Sequence, residues 1–158
     1  MIYLGADHAG FQLKEQVKTY LESLSLEVKD LGARELNPDD DYPEIIFAVA
    51  QKVAGHPESR GIVFGGSGQG EAIVANKVKG IRAAVYYGGD AEIVKLSRQH
   101  NDANILSLGA RFISFKQAQQ ALRLWLQTEF EGGRHHRRMQ EIKEIEEHNV
   151  KCQSSNAK

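Results

Sequence analysis

An α/β domain with a parallel sheet covered by helices on both faces is the fold class this sequence predicts. Three observations predict it. Strand-like and helix-like stretches alternate along most of the chain. The strand-like runs are short and apolar, such as Ile2-Tyr3-Leu4-Gly5-Ala6 and Gly61-Ile62-Val63-Phe64, which suits buried strands. A Gly-rich turn, Gly65-Gly66-Ser67-Gly68-Gln69-Gly70-Glu71, passes from one of these strands into a helix-like run.

Taken in order, Ile2 to Ala6 reads as the first strand. Phe11 to Leu24 carries Leu13, Val17, Tyr20, Leu21 and Leu24 at helical spacing. Leu26 to Leu31 is a second strand ended by Gly32, and Asn37-Pro38-Asp39-Asp40-Asp41 is an acidic loop. Asp41-Tyr42-Pro43-Glu44 opens a helix with Pro in its first turn, and that helix runs to about Val53. The third strand, the Gly-rich loop and a third helix from Ala72 follow. Ile81 to Tyr86 is a fourth strand, Asp90 to Arg98 a helix, and Asn104 to Leu108 a fifth strand. His100 and Asn101 are expected in the loop before that fifth strand. Phe115 to Leu126 is a helix carrying Trp125, and a last helix runs from about Arg134 to about His148. Residues 1–150 form one expected domain, and residues 151–158 an expected flexible tail.

The 158 residues are 41% hydrophobic and 26% charged, which places the chain among ordinary soluble domains able to bury a core. A net charge of −1 gives no global attraction to nucleic acid or an anionic membrane. The one cysteine, Cys152, cannot form an internal disulfide, so a reducing compartment is expected. No apolar run is long enough to span a bilayer, and the N-terminus shows no signal-peptide pattern, so the expected location is the cytoplasm.

In parallel sheets the functional crevice lies outside the carboxyl ends of the strands. Asp7 and His8 follow the first strand, the Gly-rich loop the third, and Arg111 the fifth. The loop is either a plain strand-to-helix turn or a cradle in which backbone N–H groups hold an anion. Glu71 beside it adds a base, which suggests chemistry rather than binding alone. In the last helix, Arg134 and Arg138 share a face at the helix start, where the dipole disfavours cations. An anion there would relieve that misplacement. The helix has no evident place on its own sheet, so it is expected to reach a second copy of the chain, in a homodimer with a shared site. His135, His136 and Arg137 do not have the spacing of a convincing metal site.

Four groups of residues then stand together: Gly5-Ala6-Asp7-His8-Ala9-Gly10; Gly66-Ser67-Gly68-Gln69-Gly70-Glu71 with Ala75-Asn76-Lys77 and Gly80-Ile81-Arg82-Ala83; Ser97-Arg98-Gln99-His100-Asn101-Asp102-Ala103-Asn104; and Gly132-Gly133-Arg134-His135 with Arg138. With Asp41-Tyr42-Pro43 they closely resemble the type B ribose-5-phosphate isomerases, a family that also holds allose- and galactose-phosphate isomerases. The resemblance covers about Ile2 to Asn149.

It implies a Rossmann-like α/β/α sandwich with a five-stranded parallel sheet, a homodimer at least, and no metal or organic cofactor. It implies conversion of an aldose 5-phosphate to its ketose through a cis-enediolate. By the resemblance His100 would open the sugar ring, and Asn101 would contact the sugar. Gly66, Ser67, Gly68, Gln69 and Gly70 would hold the enediolate oxygen. Asp7 and His8 would bind substrate, and Arg111 would serve its phosphate with Arg134 and Arg138 of the partner subunit. Many relatives carry a cysteine where this chain has Gly65. Here the sequence resembles the subgroup whose base is a glutamate after the loop, which is Glu71.

Some residues have plainer expected roles. Arg82 and Arg98 suit structural ion pairs, Trp125, Phe115 and Tyr20 suit the core, and Asp7 suits a helix cap as well as substrate contact. Tyr42 either lines the sugar pocket or simply packs. Three other functions compete. A nucleotide-binding module would use Asp30 after the second strand, but the loop lacks the G-x-G-x-x-G spacing and follows the wrong strand. A six-carbon sugar 6-phosphate isomerase would use the same residues. A non-catalytic sugar-phosphate sensor would have no need of Glu71 and His100.

Overall fold

The computed structural model describes the backbone of residues 1–155 and the side chains of residues 1–148. Five strands form one all-parallel sheet in the order β2-β1-β3-β5-β4. They are β1 (Ile2–Ala6), β2 (Val28–Asp30), β3 (Arg60–Gly65), β4 (Ala83–Tyr86) and β5 (Ile105–Gly109). The helices are α1 (Phe11–Ser23), α2 (Tyr42–Ala54), α3 (Gln69–Ala75), α4 (Glu92–Asn101), α5 (Phe115–Gln127) and α6 (Arg134–Ser155). The expected Rossmann-like α/β/α sandwich is therefore the fold.

β1 and β5 are buried from end to end and β3 from Gly61 onward, so their side chains feed a core on both faces of the sheet. On one face Leu4, Ile62, Phe64, Leu106 and Leu108 pack with Val17 and Leu21 of α1, Val94 of α4 and the fully buried Trp125 of α5. On the other, Tyr3, Val63 and Ile105 pack with Ile46, Val49, Ala50 and Val53 of α2 and Ala75 of α3. Tyr20 meets Phe115 edge-on at 6.3 Å, so the expected core aromatics are core aromatics. Ser114 and Gln117 cap α5 reciprocally. Among the described residues no helix is long and apolar enough to cross a membrane.

Element boundaries move where side chains take over backbone partners. β4 starts at Ala83 because Asn104 Oδ1 accepts from the Arg82 N–H (2.8 Å) and Asn76 Oδ1 from the Ala83 N–H (2.8 Å). α4 starts later than expected and runs on to Asn101, so His100 and Asn101 are helical and not in a loop. The stretch after Leu96 is polar and shows no apolar period, which hid the extra turn. An Arg98–Asp102 ion pair (2.7 Å) spans that turn, and Asp102 ends the helix in the left-handed region (φ 44°). Asp102 also binds Arg82 (2.8 Å), so both arginines are structural. α6 extends past the expected end near His148 to Ser155, and residues 156–158 of the expected tail lie outside the described residues.

Candidate active site

Three strand ends converge on one cleft of about 450 Å³. β1 contributes Asp7, His8 and Ala9; β3 contributes Gly66, Ser67, Gly70 and Glu71; β5 contributes Arg111 and Phe112; Tyr42 closes the side from the start of α2. Parallel strands make this inevitable, since β1, β3 and β5 are adjacent and all end at the same edge.

The Gly-rich loop is held by close packing. Gly68 takes φ +77° at the start of α3, a conformation that suits glycine. Ser107 Oγ donates to Gly68 O at 2.5 Å, and the Ala110 and Arg111 N–H groups donate to Gly65 O and Gly66 O. The Gln69 N–H reaches Ser67 Oγ at 3.4 Å. Gly68 is buried beneath the loop, and Gln69 lines a neighbouring depression with Ile73 and Asn76 instead of the cleft.

Glu71 is 4% exposed. Burial is the main cause holding its carboxyl above the usual carboxylate range, and the charge of Asp7 adds to it, while its own backbone N–H opposes. The protein itself supplies this desolvation before any substrate closes over the site. The carboxylate lies where a side chain at position 65 would project, because a Cβ built on Gly65 would overlap it. Gly65→Ala should therefore displace Glu71 and lower turnover by about 10²-fold while the fold is retained, readable from kinetics beside circular dichroism.

Asp7 is 6% exposed, and its Oδ1 accepts from the Ala9 (3.0 Å) and Gly10 (3.2 Å) N–H groups. It makes a turn ahead of α1 and is not the N-cap, which is Gly10. His8 receives a carboxylate that sequence reasoning left in a loop. Asp40 Oδ1 lies 2.8 Å from both the His8 N–H and His8 Nδ1, and this bond is the largest cause raising the His8 pKa. Its place in the acidic run before Tyr42-Pro43 marks a loop and carries no signal that pairs Asp40 with His8.

His100, Asn101, Arg134 and Arg138 do not join this cleft. They stand at the opposite edge of the sheet, because α4 runs back against the strands and delivers its C-terminus to the amino ends. The Asn101 carbonyl accepts from Arg82 Nε at 2.9 Å, just ahead of β4. β5 alone separates the two edges by about 16 Å at 3.3 Å per residue. The Glu131 N–H donates to Gln99 O, tying the start of α6 to the end of α4. His135 is buried and stacks on His100, with centroids 4.2 Å apart and planes within 8°. Burial, His100 and the two arginines hold the His135 pKa below the ordinary histidine value. Arg134 and Arg138 are exposed beside it at the start of α6, as their spacing predicts.

Donor atoms of His100, Glu131 and His135 lie within 4.8 Å of one another, a juxtaposition that spacing within the His135–Arg137 segment did not suggest. Arg134 Nε donates to His135 Nε2 at 3.4 Å, and that guanidinium disfavours a cation there. Asp30, the acid a nucleotide site would need, is engaged by Lys14 Nζ at 2.6 Å and Lys18 Nζ at 3.3 Å.

An open parallel sheet with a Gly-rich loop, a buried carboxylate and an arginine at its carboxyl edge defines a Rossmann-like protein with a small-molecule site. The model of the ribose/galactose isomerase family matches residues 2–142, and the chain belongs to that family. A probable ribose-5-phosphate isomerase B of Mycoplasma pneumoniae is 44% identical over 141 residues, 89% of this chain and 91% of that protein. A ribose-5-phosphate isomerase B structure from Clostridium thermocellum superposes with a TM-score of 0.89 at 42% identity, covering 94% of this chain and 98% of that one. The Mycoplasma genitalium enzyme with bound ribulose-5-phosphate also gives 0.89, at 37% identity and 92% and 95% coverage.

Proposed function

We propose that this protein is an aldose–ketose isomerase that interconverts D-ribose 5-phosphate and D-ribulose 5-phosphate. The observation that carries the reading is Glu71, a buried carboxylate with raised pKa between the Gly-rich loop and Asp7. A raised pKa makes the carboxylate a stronger base for carbon acid chemistry. The family match and the relative that binds ribulose-5-phosphate support the substrate class.

In the proposed sequence the partner subunit's His100 moves protons between the ring and anomeric oxygens and opens the furanose. Glu71 then takes the proton from C2 of the open aldehyde. The cis-enediolate forms with its oxygens against Ser67 and the loop N–H groups. Glu71 returns the proton to C1 while the O2 hydroxyl proton passes to O1 within the enediolate, and the ketose results. No hydride leaves the molecule, so the reaction calls for no redox cofactor. Arg111, with the partner subunit's Arg134 and Arg138, holds the phosphate. The partner subunit's Asn101 contacts the sugar.

Two half-sites at opposite edges of one sheet are the reason for proposing a homodimer. Ile73, Ile93, Tyr87 and Phe112 beside the cleft edge, and Ile142 and Ile145 on α6, are exposed and would be covered by a second copy. The space at Gly65 that the Glu71 carboxylate fills supports reading Glu71 as the base in place of a cysteine. The test is turnover of ribose 5-phosphate by purified protein with chelator present, alongside allose 6-phosphate, with mass measured by light scattering. Activity on the pentose by a dimer or tetramer is expected. Preference for allose 6-phosphate, or an active monomer, would overturn the corresponding part.

A further inference from the structure

We propose that Asp40 is a positioning residue for substrate binding: its carboxylate holds the His8 ring by Nδ1 and keeps Nε2–H available as a donor to the substrate phosphate beside Arg111. The inference rests on the sugar-phosphate reading of this cleft and goes further, since Asp40 touches no cleft surface of its own. A turn prepares it. Asn37 Oδ1 accepts from the Asp39 N–H at 3.1 Å, and Asn37 O from the Asp40 N–H at 3.2 Å. The turn sets Asp40 Oδ1 2.8 Å from the His8 backbone N–H and 2.8 Å from Nδ1.

With Nδ1 committed to a carboxylate, Nε2 is the ring's remaining polar atom, and His8 lines the cleft with Gly66, Ser67 and Arg111. The second carboxylate oxygen, Asp40 Oδ2, is buried without a hydrogen-bond partner, so its negative charge is answered chiefly by the ring. The groups facing His8 are Asp40 from the loop, Asp7 from the end of β1, and Glu71 and Arg111 across the cleft. The two aspartates favour the imidazolium, which outweighs the loss of hydration on partial burial. An imidazolium donates to a dianion more strongly than a neutral ring.

Asp40→Asn, compared with His8→Asn and the double variant, tests this. The sign follows from the raised His8 pKa. In the wild type the imidazolium persists to higher pH, and phosphate affinity is lost as pH rises through that pKa. In Asp40→Asn the loss begins at lower pH. Near pH 7.5 the KM for ribose 5-phosphate should rise about tenfold, with kcat within about twofold of wild type. In the His8→Asn background Asp40→Asn should add nothing, because the effect passes through the ring. Nuclear magnetic resonance titration of His8 gives an independent reading: its pKa should fall in Asp40→Asn. An unmoved KM profile, an unmoved His8 titration, or an equal loss in the His8→Asn background would each overturn the proposal. A wild type without turnover of ribose 5-phosphate would instead overturn the reading on which it rests.

Discussion

Glu71→Gln should lower kcat for ribose 5-phosphate by about 10³-fold and leave KM nearly unchanged. Gln keeps the size of the side chain and loses only the ability to take a proton, so binding in the cleft persists. The pH profile adds a second reading. The base works as the carboxylate, and burial raises its pKa, so the wild-type kcat/KM falls as pH drops through a value above that of free glutamate. That acid limb should vanish from the residual activity of the variant. Stability separates this from unfolding. A folded-state pKa above the unfolded one means the native state binds the proton more tightly, so ionising Glu71 weakens the fold as pH rises through that pKa. A neutral amide escapes this, and Tm at pH 8 should be equal or higher. Near-normal turnover by Glu71→Gln would remove Glu71 as the base.

Mixing Glu71→Gln protein with His100→Asn protein should restore activity to about a quarter of wild type, although each is nearly inactive alone. His100 stands at the amino edge of the sheet and Glu71 at the carboxyl edge, so one chain cannot bring them to one sugar. In a homodimer each site would pair Glu71 of one chain with His100 of the other. Random exchange makes half the dimers mixed, and each mixed dimer carries one site with both substitutions and one with neither. If His100 served its own chain's Glu71, every site would keep one lesion and nothing would be recovered. His100→Asn alone should also impair the ribose-to-ribulose direction more than the reverse. The ketose 5-phosphate cannot close a furanose ring, because its O5 is blocked, and needs no opening.

Much of this protein was legible along the chain. Apolar runs marked the central strands because each is buried on both faces, and helical spacing marked α1 and α5 because each turns one stripe to the core. The Gly-rich loop was visible because a glycine is needed at Gly68, where φ is positive, and at Gly70, where a Cβ would meet the Tyr42 ring. The end of α4 was not legible, since its last turn is held by the Arg98–Asp102 pair and not by apolar period. Asp40 was not legible as a partner of His8 either. The two are 32 residues apart, and only a loop folding over the end of β1 joins them.

The sequence by itself determined the layered α/β fold, the loop and the chemical types available to the cleft. These rest on local periodicity, turn chemistry and residue identity, which act over a few residues. Only the tertiary structure decided which groups share a space. It buried Glu71 in the gap beside Gly65, paired His8 with Asp40, and parted His100 and the Arg134–Arg138 helix start from the carboxyl edge. The physical reason is that desolvation and hydrogen-bond partners depend on strand order and helix direction, and neither is encoded in the spacing of any one motif.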